Sequence, residues 1–320
     1  MNGFPMKLRP VYKDNLWGGE RLKTEYNKRT DMTPLAESWE LSCHKDGSSV
    51  IANGPCAGMT LAAYLEQYPE AAGTRGMDFP AFPILFKLID AKDDLSVQVH
   101  PDDDYAQRVE GEYGKTEMWI VLECEPGAKL VYGFRQEMDR ETFRARIANN
   151  TLLEAVNEVP VHKGDVFFIP AGTLHAIGKG IVIAEIQQNS NTTYRVYDYG
   201  RVDANGHPRE LHVEKALDVT HLEAYRAGWK AYPMHKEAGG TVTLLADCPY
   251  FKTRQIQLDG CMNRIVDSGS FEGLFCAEGA AVLRTETEAW ELQKGDTMFL
   301  PAGLGAYALE GRAVCISMGV

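Results

Sequence analysis

The chain has 320 residues, 44% hydrophobic and 24% charged, with a formal net charge of −12 at pH 7. That length allows two domains with buried cores, and the composition is ordinary for a globular protein. Strong acidity argues against nucleic acid and anionic membrane surfaces as partners, no apolar run approaches a membrane span, and the opening Met1-Asn2-Gly3-Phe4-Pro5-Met6 lacks a secretion pattern, so a cytoplasmic protein is expected.

The seven cysteines include no Cys-x-x-Cys pair, which points to reduced thiols in the core rather than a disulfide framework. An anionic substrate would be repelled at long range by this chain. Any site for one must therefore gather lysines and arginines locally.

From residue 7 to 55, short apolar runs alternate with turn formers such as Trp17-Gly18-Gly19. Ala36 to Ser42 alternates cleanly and reads as a half-buried strand, with Trp39 and Leu41 on one face and Glu40 and Ser42 on the other. Thr60 is placed to cap a short helix over the residues that follow. Phe82 to Asp90 is an apolar strand interrupted by Lys87. A lysine inside a buried run must reach solvent, pair with a carboxylate or face a cavity, and apolar residues on both sides of it weigh toward the cavity.

Ser96-Val97-Gln98-Val99-His100 is a strict alternation that sets Ser96, Gln98 and His100 on the face opposite the two valines. Asp102, Asp103 and Asp104 suit the positive end of a helix start and diverge too much to share one ion. A strand then carries Glu117 at its beginning. Residues 139 to 157 read as one or two helices capped by Asp139, with Phe143, Ile147, Leu152, Leu153 and Val156 as an apolar stripe expected to lie on a barrel mouth as lid or packing.

Gly164 to His175 is a strand leading into a Pro-x-Gly turn that directs His175. Two later strands, Ile181 to Gln188 and Tyr194 to Tyr199, embed Glu185 and Arg195 where apolar surface is wanted; a buried charge is costly unless paired, so the two are possible partners of one another. Residues 228 to 245, with Pro233, Gly239 and Gly240, read as the passage to a C-terminal domain of short strands beginning near Leu244. Within it, Lys294 to Gly303 repeats Lys163 to Gly172, but Ala306 stands where the first copy has His175, so the second unit lacks that histidine and reads as structural.

Gln98, His100, Glu117 and His175 together offer two imidazoles, a carboxylate and an amide oxygen, a mixed set suited to zinc or another first-row divalent metal. Each residue alone would more often be structural. Their occurrence in this order, with the turn that aims His175, favours a metal site.

Gly164 to His175 fits the second cupin motif, Gly-x5-Pro-x-Gly-x-x-His, at every position, with Lys179 where an asparagine is usual. The common His-x-His of the first motif is replaced by Gln98-Val99-His100-Pro101 with Glu117 downstream. In this joint pattern the chain, from about Leu16 to its end, resembles the type I phosphomannose isomerase family in its short bacterial form.

The resemblance implies a mainly β fold of two cupin barrels (jelly rolls, or double-stranded β-helices) with small helical insertions. Residues 1–235 would form the catalytic unit and residues 236–320 a degenerate one. It further implies a metal-dependent aldose-ketose isomerase that interconverts mannose 6-phosphate and fructose 6-phosphate through a cis-enediol. One zinc ion per chain would be held by Gln98, His100, Glu117 and His175. Arg195, Glu185, Lys115 and Lys87 match catalytic residues, Ser96, Lys87 and Arg195 match substrate contacts, and the strand around Trp39 would lie near the pocket.

The proton-transfer base stays open among a metal-bound water, Glu185 and a lysine. The partner would be a small phosphosugar and the chain a monomer or homodimer. Alternatives are another cupin metalloenzyme, acting on a different or unphosphorylated sugar or as an oxygenase, and a non-catalytic sugar-binding cupin.

Overall fold

A two-residue hydrophobic period dictates strands, and strands with apolar residues on both faces must be covered on both sides. The structure, a computed structural model, describes residues 3–202, 206–225 and 232–320. In its first unit an antiparallel six-stranded sheet runs in the order Val166–Ile169, Glu117–Cys124, Ile181–Gln188, Ile84–Ala91, Glu37–Leu41, Val11–Lys13. It faces a five-stranded sheet ordered Val156–Pro160, Lys129–Phe134, His175–Ile177, Val97–Val99, Tyr194–Tyr197. The two sheets keep separate hydrogen-bond ladders, so this cupin fold is a jelly roll of facing sheets and not a closed cylinder.

Trp17, Ile89, Trp119, Leu130, Tyr132 and Ile183 pack in the space between these sheets. The outer face of the six-stranded sheet is buried too: Ile84, Phe86, Leu88, Val182, Ala184 and Ile186 join Phe275, Phe299 and Ile316 of the second unit in one continuous core. That double covering explains the unbroken apolar runs of the two central strands. It also corrects the half-buried reading of Glu37–Leu41, whose Ser38 and Glu40 are fully buried on the side of the second unit.

The second unit is a nine-stranded antiparallel sheet. Two of its strands come from the beginning of the chain: Met6–Arg9 pairs with Thr297–Leu300, and Val50–Ile51 pairs with Met6–Arg9. Instead of the short strands expected after Leu244, Lys252–Val266 and Gly305–Gly319 each span 15 residues. The expected passage also ends sooner. Met234–Glu237 and Gly240–Asp247 already form a hairpin of this sheet, turning at Gly239 with φ of +81°; the part of the passage within residues 226–231 lies outside the described residues.

Three helices start where the sequence places caps. Thr60 accepts from Ala63 N–H ahead of Leu61–Gln67, Asp102 from Tyr105 ahead of Asp103–Val109, and Asp139 from Thr142 ahead of Arg140–Ala148. The helix Arg140–Ala148 is not on the mouth. Its Phe143 and Ile147, with Leu152, pack on Val97, Val131 and Tyr194 at the outer face of the five-stranded sheet, while Val156 belongs to a strand. An apolar stripe needs an apolar partner, and the outward valines of that sheet supply it. Among the described residues no helix is long and apolar enough to cross a membrane.

Candidate active site

Because Val97 and Val99 face the helices, Gln98 faces the interior, where it lies directly across the ladder from His175. The Pro-x-Gly turn fixes the second histidine. Gly172 has a φ of +83°, and a Cβ there would meet the His221 ring at 2.7 Å, so glycine is required. Its N–H donates to the His100 carbonyl at 2.8 Å, which ties the turn to the other histidine. Glu117 enters from the facing sheet, paired with Ile169 and Gln187.

These side chains converge. His100 Nε2 is 3.2 Å from Glu117 Oε1, His175 Nε2 is 3.8 Å from Glu117 Oε2, and Gln98's amide lies 3.5 Å from His175 Nε2. The ligand atoms of His100, Glu117 and His175 all lie within 4.8 Å of one another, and all three residues are buried.

Each imidazole sets its Nδ1 against a backbone carbonyl, Thr192 for His100 and Thr173 for His175, both at 2.9 Å. A carbonyl can only accept, so Nδ1 carries the proton and each Nε2 presents a lone pair to the cluster. Burial, and the Lys115 charge, push His100 down to about 3, and burial also lowers His175. Both rings are therefore neutral, as metal ligands must be. Burial alone would raise Glu117, but the Lys115 charge outweighs it and holds the carboxyl well below its ordinary range.

Apart from the Lys115 ammonium, 2.8 Å from Oε1, no hydrogen-bond donor is in place for either buried oxygen of Glu117 among the described residues. A charged, buried acceptor pair facing two imidazole lone pairs is a donor set that fits a divalent cation.

The second unit shows what the same register looks like when closed. Glu272 lies across from Leu300 as Glu117 lies across from Ile169, the two pairs falling at matching positions of the repeat. Glu272, however, accepts from Tyr307 Oη at 2.8 Å and Ser317 Oγ at 2.5 Å, and is paired with Arg264 at 3.3 Å. Arg264 also donates to Tyr307 Oη at 3.1 Å. A guanidinium supplies the positive charge there, and no acceptor is left over for an ion.

Above the cluster lies a cavity of about 510 Å³ whose wall includes Gln98 and Lys115. Lys13, Lys87, Lys115, Arg195 and Arg209 line it against Asp14, Glu37, Asp46 and Glu185, so cations gather here in an otherwise acidic chain. Lys87 is buried and does face the cavity, between Glu185 Oε1 at 3.6 Å and Glu37 Oε2 at 3.7 Å. Trp119 Nε1 donates to the other oxygen of Glu185 at 2.8 Å, and Trp39 Nε1 donates to Glu37 at 2.7 Å. Burial, reinforced by the Glu117 charge and opposed by Lys87, pushes Glu185 up to about 7.

Glu185 is thus paired with Lys87 and not with Arg195. The Arg195 guanidinium donates to Ser96 Oγ at 3.2 Å and to the Glu210 carbonyl at 2.9 Å, beside the cavity. The sequence reading missed Glu37, Lys13 and Arg209. Glu37 shares strand parity with Trp39 and could have been found from it; Arg209 sits in an irregular segment that carries no periodic signal.

Residues 6–120 match the family model for the type I phosphomannose isomerase catalytic domain, and residues 241–319 match that for the mannose-6-phosphate isomerase cupin domain. The chain is 37% identical over 313 residues to the mannose-6-phosphate isomerase ManA of Bacillus subtilis (strain 168), covering 98% of each chain. It is 35% identical to a mannose-6-phosphate isomerase of Streptococcus mutans, covering 96% of this chain and 95% of that one. A crystal structure of the mannose 6-phosphate isomerase from Bacillus subtilis superposes with a TM-score of 0.94 at 34% identity, covering 99% of both chains.

Proposed function

Since the chain belongs to the type I phosphomannose isomerase family, we propose that it interconverts mannose 6-phosphate and fructose 6-phosphate through a cis-enediol. The observation that carries this reading is the convergence of His100, Glu117 and His175 beside a cavity that also holds Glu185, Lys87 and Arg195. Gln98, His100, Glu117 and His175 would hold the divalent ion, which we take to be zinc. When bound, that ion would supply Lewis-acid polarisation of the sugar's carbonyl and hydroxyl oxygens.

The chain's own groups do the rest. Glu185, raised toward neutrality and held by Trp119 and Lys87, is suited to take the proton from C2 of the aldose. The C2–H electron pair then forms the C1–C2 double bond, and O1 takes up a proton to give the enediol. Return of a proton to C1, with loss of the O2 proton, completes the ketose. Lys87 and Lys115 offset negative charge on this path, and Arg195, which stays charged at any working pH, serves the developing enediolate or the phosphate. Ser96, bonded to Arg195, would lie at the phosphate end.

Turnover of mannose 6-phosphate by the purified chain, compared with unphosphorylated mannose, tests this function. The phosphosugar is expected to win by roughly 10 to 100-fold in kcat/KM, the worth of a charge-assisted contact. Turnover of neither sugar would contradict it.

A pH profile tests the base. Below its pKa Glu185 is protonated and cannot accept the C2 proton, so kcat/KM should fall as pH drops. The limb should lie at or below about 7, because a cation beside Glu117 favours the charged carboxylate. Glu185→Gln should lower turnover by about 10² to 10⁴-fold and remove the limb. A limb unchanged in that variant would assign the base elsewhere.

A further inference from the structure

The buried pair Lys28 and Glu40 takes no part in the chemistry above, yet Glu40 sits on the strand that builds one cavity wall. Along Glu37–Leu41, Glu37 and Trp39 line the cavity, while Ser38 and Glu40 point the other way, into the second unit. Glu40 Oε1 meets Lys28 Nζ at 2.6 Å and accepts from Ser38 Oγ at 2.6 Å; Oε2 accepts from Thr297 Oγ1 at 2.8 Å. Lys28 Nζ donates in turn to the Gly295 carbonyl at 2.5 Å, so three groups close around the buried carboxylate and a turn of the second unit holds the lysine.

The partner turn is the one that the repeat carries in both units. In the first unit, a Cβ on Gly164 would meet nothing within 4 Å. In the second, a Cβ on Gly295 would lie 2.0 Å from the Tyr26 carbonyl, Asn27 donates to the Lys294 carbonyl at 3.0 Å, and Lys294 sits over the Tyr26 ring at 4.4 Å. The segment leading to the cavity strand is thus seated on the second unit's turn.

We propose that Glu40 is a positioning residue, through which the second unit, whose own polar cluster is closed, fixes Glu37 and Trp39 in the substrate cavity of the first. A buried carboxylate with all its partners supplied holds the strand in place, and the two residues that precede it on the opposite face, Glu37 and Trp39, are the ones that Lys87 touches.

The test uses the full chain as wild type, Glu40→Gln, Glu37→Gln and the double variant. Its kinetic arm rests on the isomerase reading; its spectroscopic arm does not. Without substrate, Glu40→Gln should shift the tryptophan emission, and the shift should vanish in a Trp39→Phe background. With mannose 6-phosphate, Glu40→Gln should raise KM by about 10-fold while kcat and metal content stay within about 2-fold, the mark of lost uniform binding. In the Glu37→Gln background the same change should move KM by less than about 2-fold, because contacts in one chain of effects do not add.

An equal KM effect in both backgrounds, or an emission shift that persists without Trp39, would overturn the proposal. If the wild type turns over no sugar, the isomerase reading fails and the emission arm alone decides the positioning role. If Glu40→Gln does not fold, Thr297→Val, which removes one hydroxyl from Glu40, goes through the same cycle with the same criteria.

Discussion

Replacing His175 with alanine is expected to reduce bound metal to background and turnover by on the order of 10³-fold, the equivalent of about 4 kcal/mol of transition-state stabilisation. His175 is fully buried, and its Nε2 faces Glu117 and Gln98 while its Nδ1 is committed to Thr173. No neighbouring side chain duplicates that lone pair. The ring also packs edge-on against Trp119, with centroids 5.2 Å apart, so the variant opens a void beside the indole that holds Glu185. Circular dichroism separates the two effects: a folded variant with metal lost assigns His175 to the metal, and a folded variant that keeps its metal and its turnover excludes it.

Arg195→Ala should behave in the opposite way, keeping metal while losing about 10² to 10³-fold in turnover. The guanidinium reaches the cavity from the strand Tyr194–Tyr197, opposite Gln98 in the ladder, and makes no contact with the imidazoles or Glu117 among its hydrogen bonds. Burial and the nearby Arg209 charge lower its pKa, but a guanidinium remains protonated at any working pH. Its removal therefore deletes a fixed positive charge and two forked donors. A loss confined to kcat would place Arg195 on the enediolate, and a rise confined to KM would place it on the phosphate. Arg195→Lys should recover only part of either, since an ammonium lacks the planar fork that spans Ser96 and the Glu210 carbonyl. Unchanged turnover in Arg195→Ala would remove the residue from the site.

The readable features of the chain were those with a local physical cause. Alternation at Ser96 to His100 set the two valines apart from Gln98, and the structure places those valines on the helix-packed face. The requirement for a glycine before His175 is written in the motif and appears as a positive φ at Gly172. Lys87 stood out because a lysine in an apolar strand needs a reason, and Glu37 and Glu185 with the cavity supply it. The caps at Thr60, Asp102 and Asp139 follow from side-chain chemistry within three residues.

Features that depend on distant pairing were not legible. Met6 lies across from Phe299, so nothing near the start of the chain reveals that its first strand extends the second sheet. Burial of Ser38 and Glu40 depends on Lys28 and Thr297 in the same way. The placement of Arg140–Ala148 is not legible either, because an apolar stripe says that a partner exists and not which face provides it. Glu185 and Arg195 both interrupt strands, which suggests a pair; the ladder instead sets Glu185 across from Lys87.

The most direct test of a metal-assisted isomerase is elemental analysis of the purified chain joined to mannose 6-phosphate turnover before chelation, after it, and after zinc is returned. The site of His100, Glu117 and His175, the only such cluster among the described residues, predicts a single divalent ion per chain, with turnover that disappears with the ion and returns with zinc. Full turnover from protein stripped of metal would contradict it.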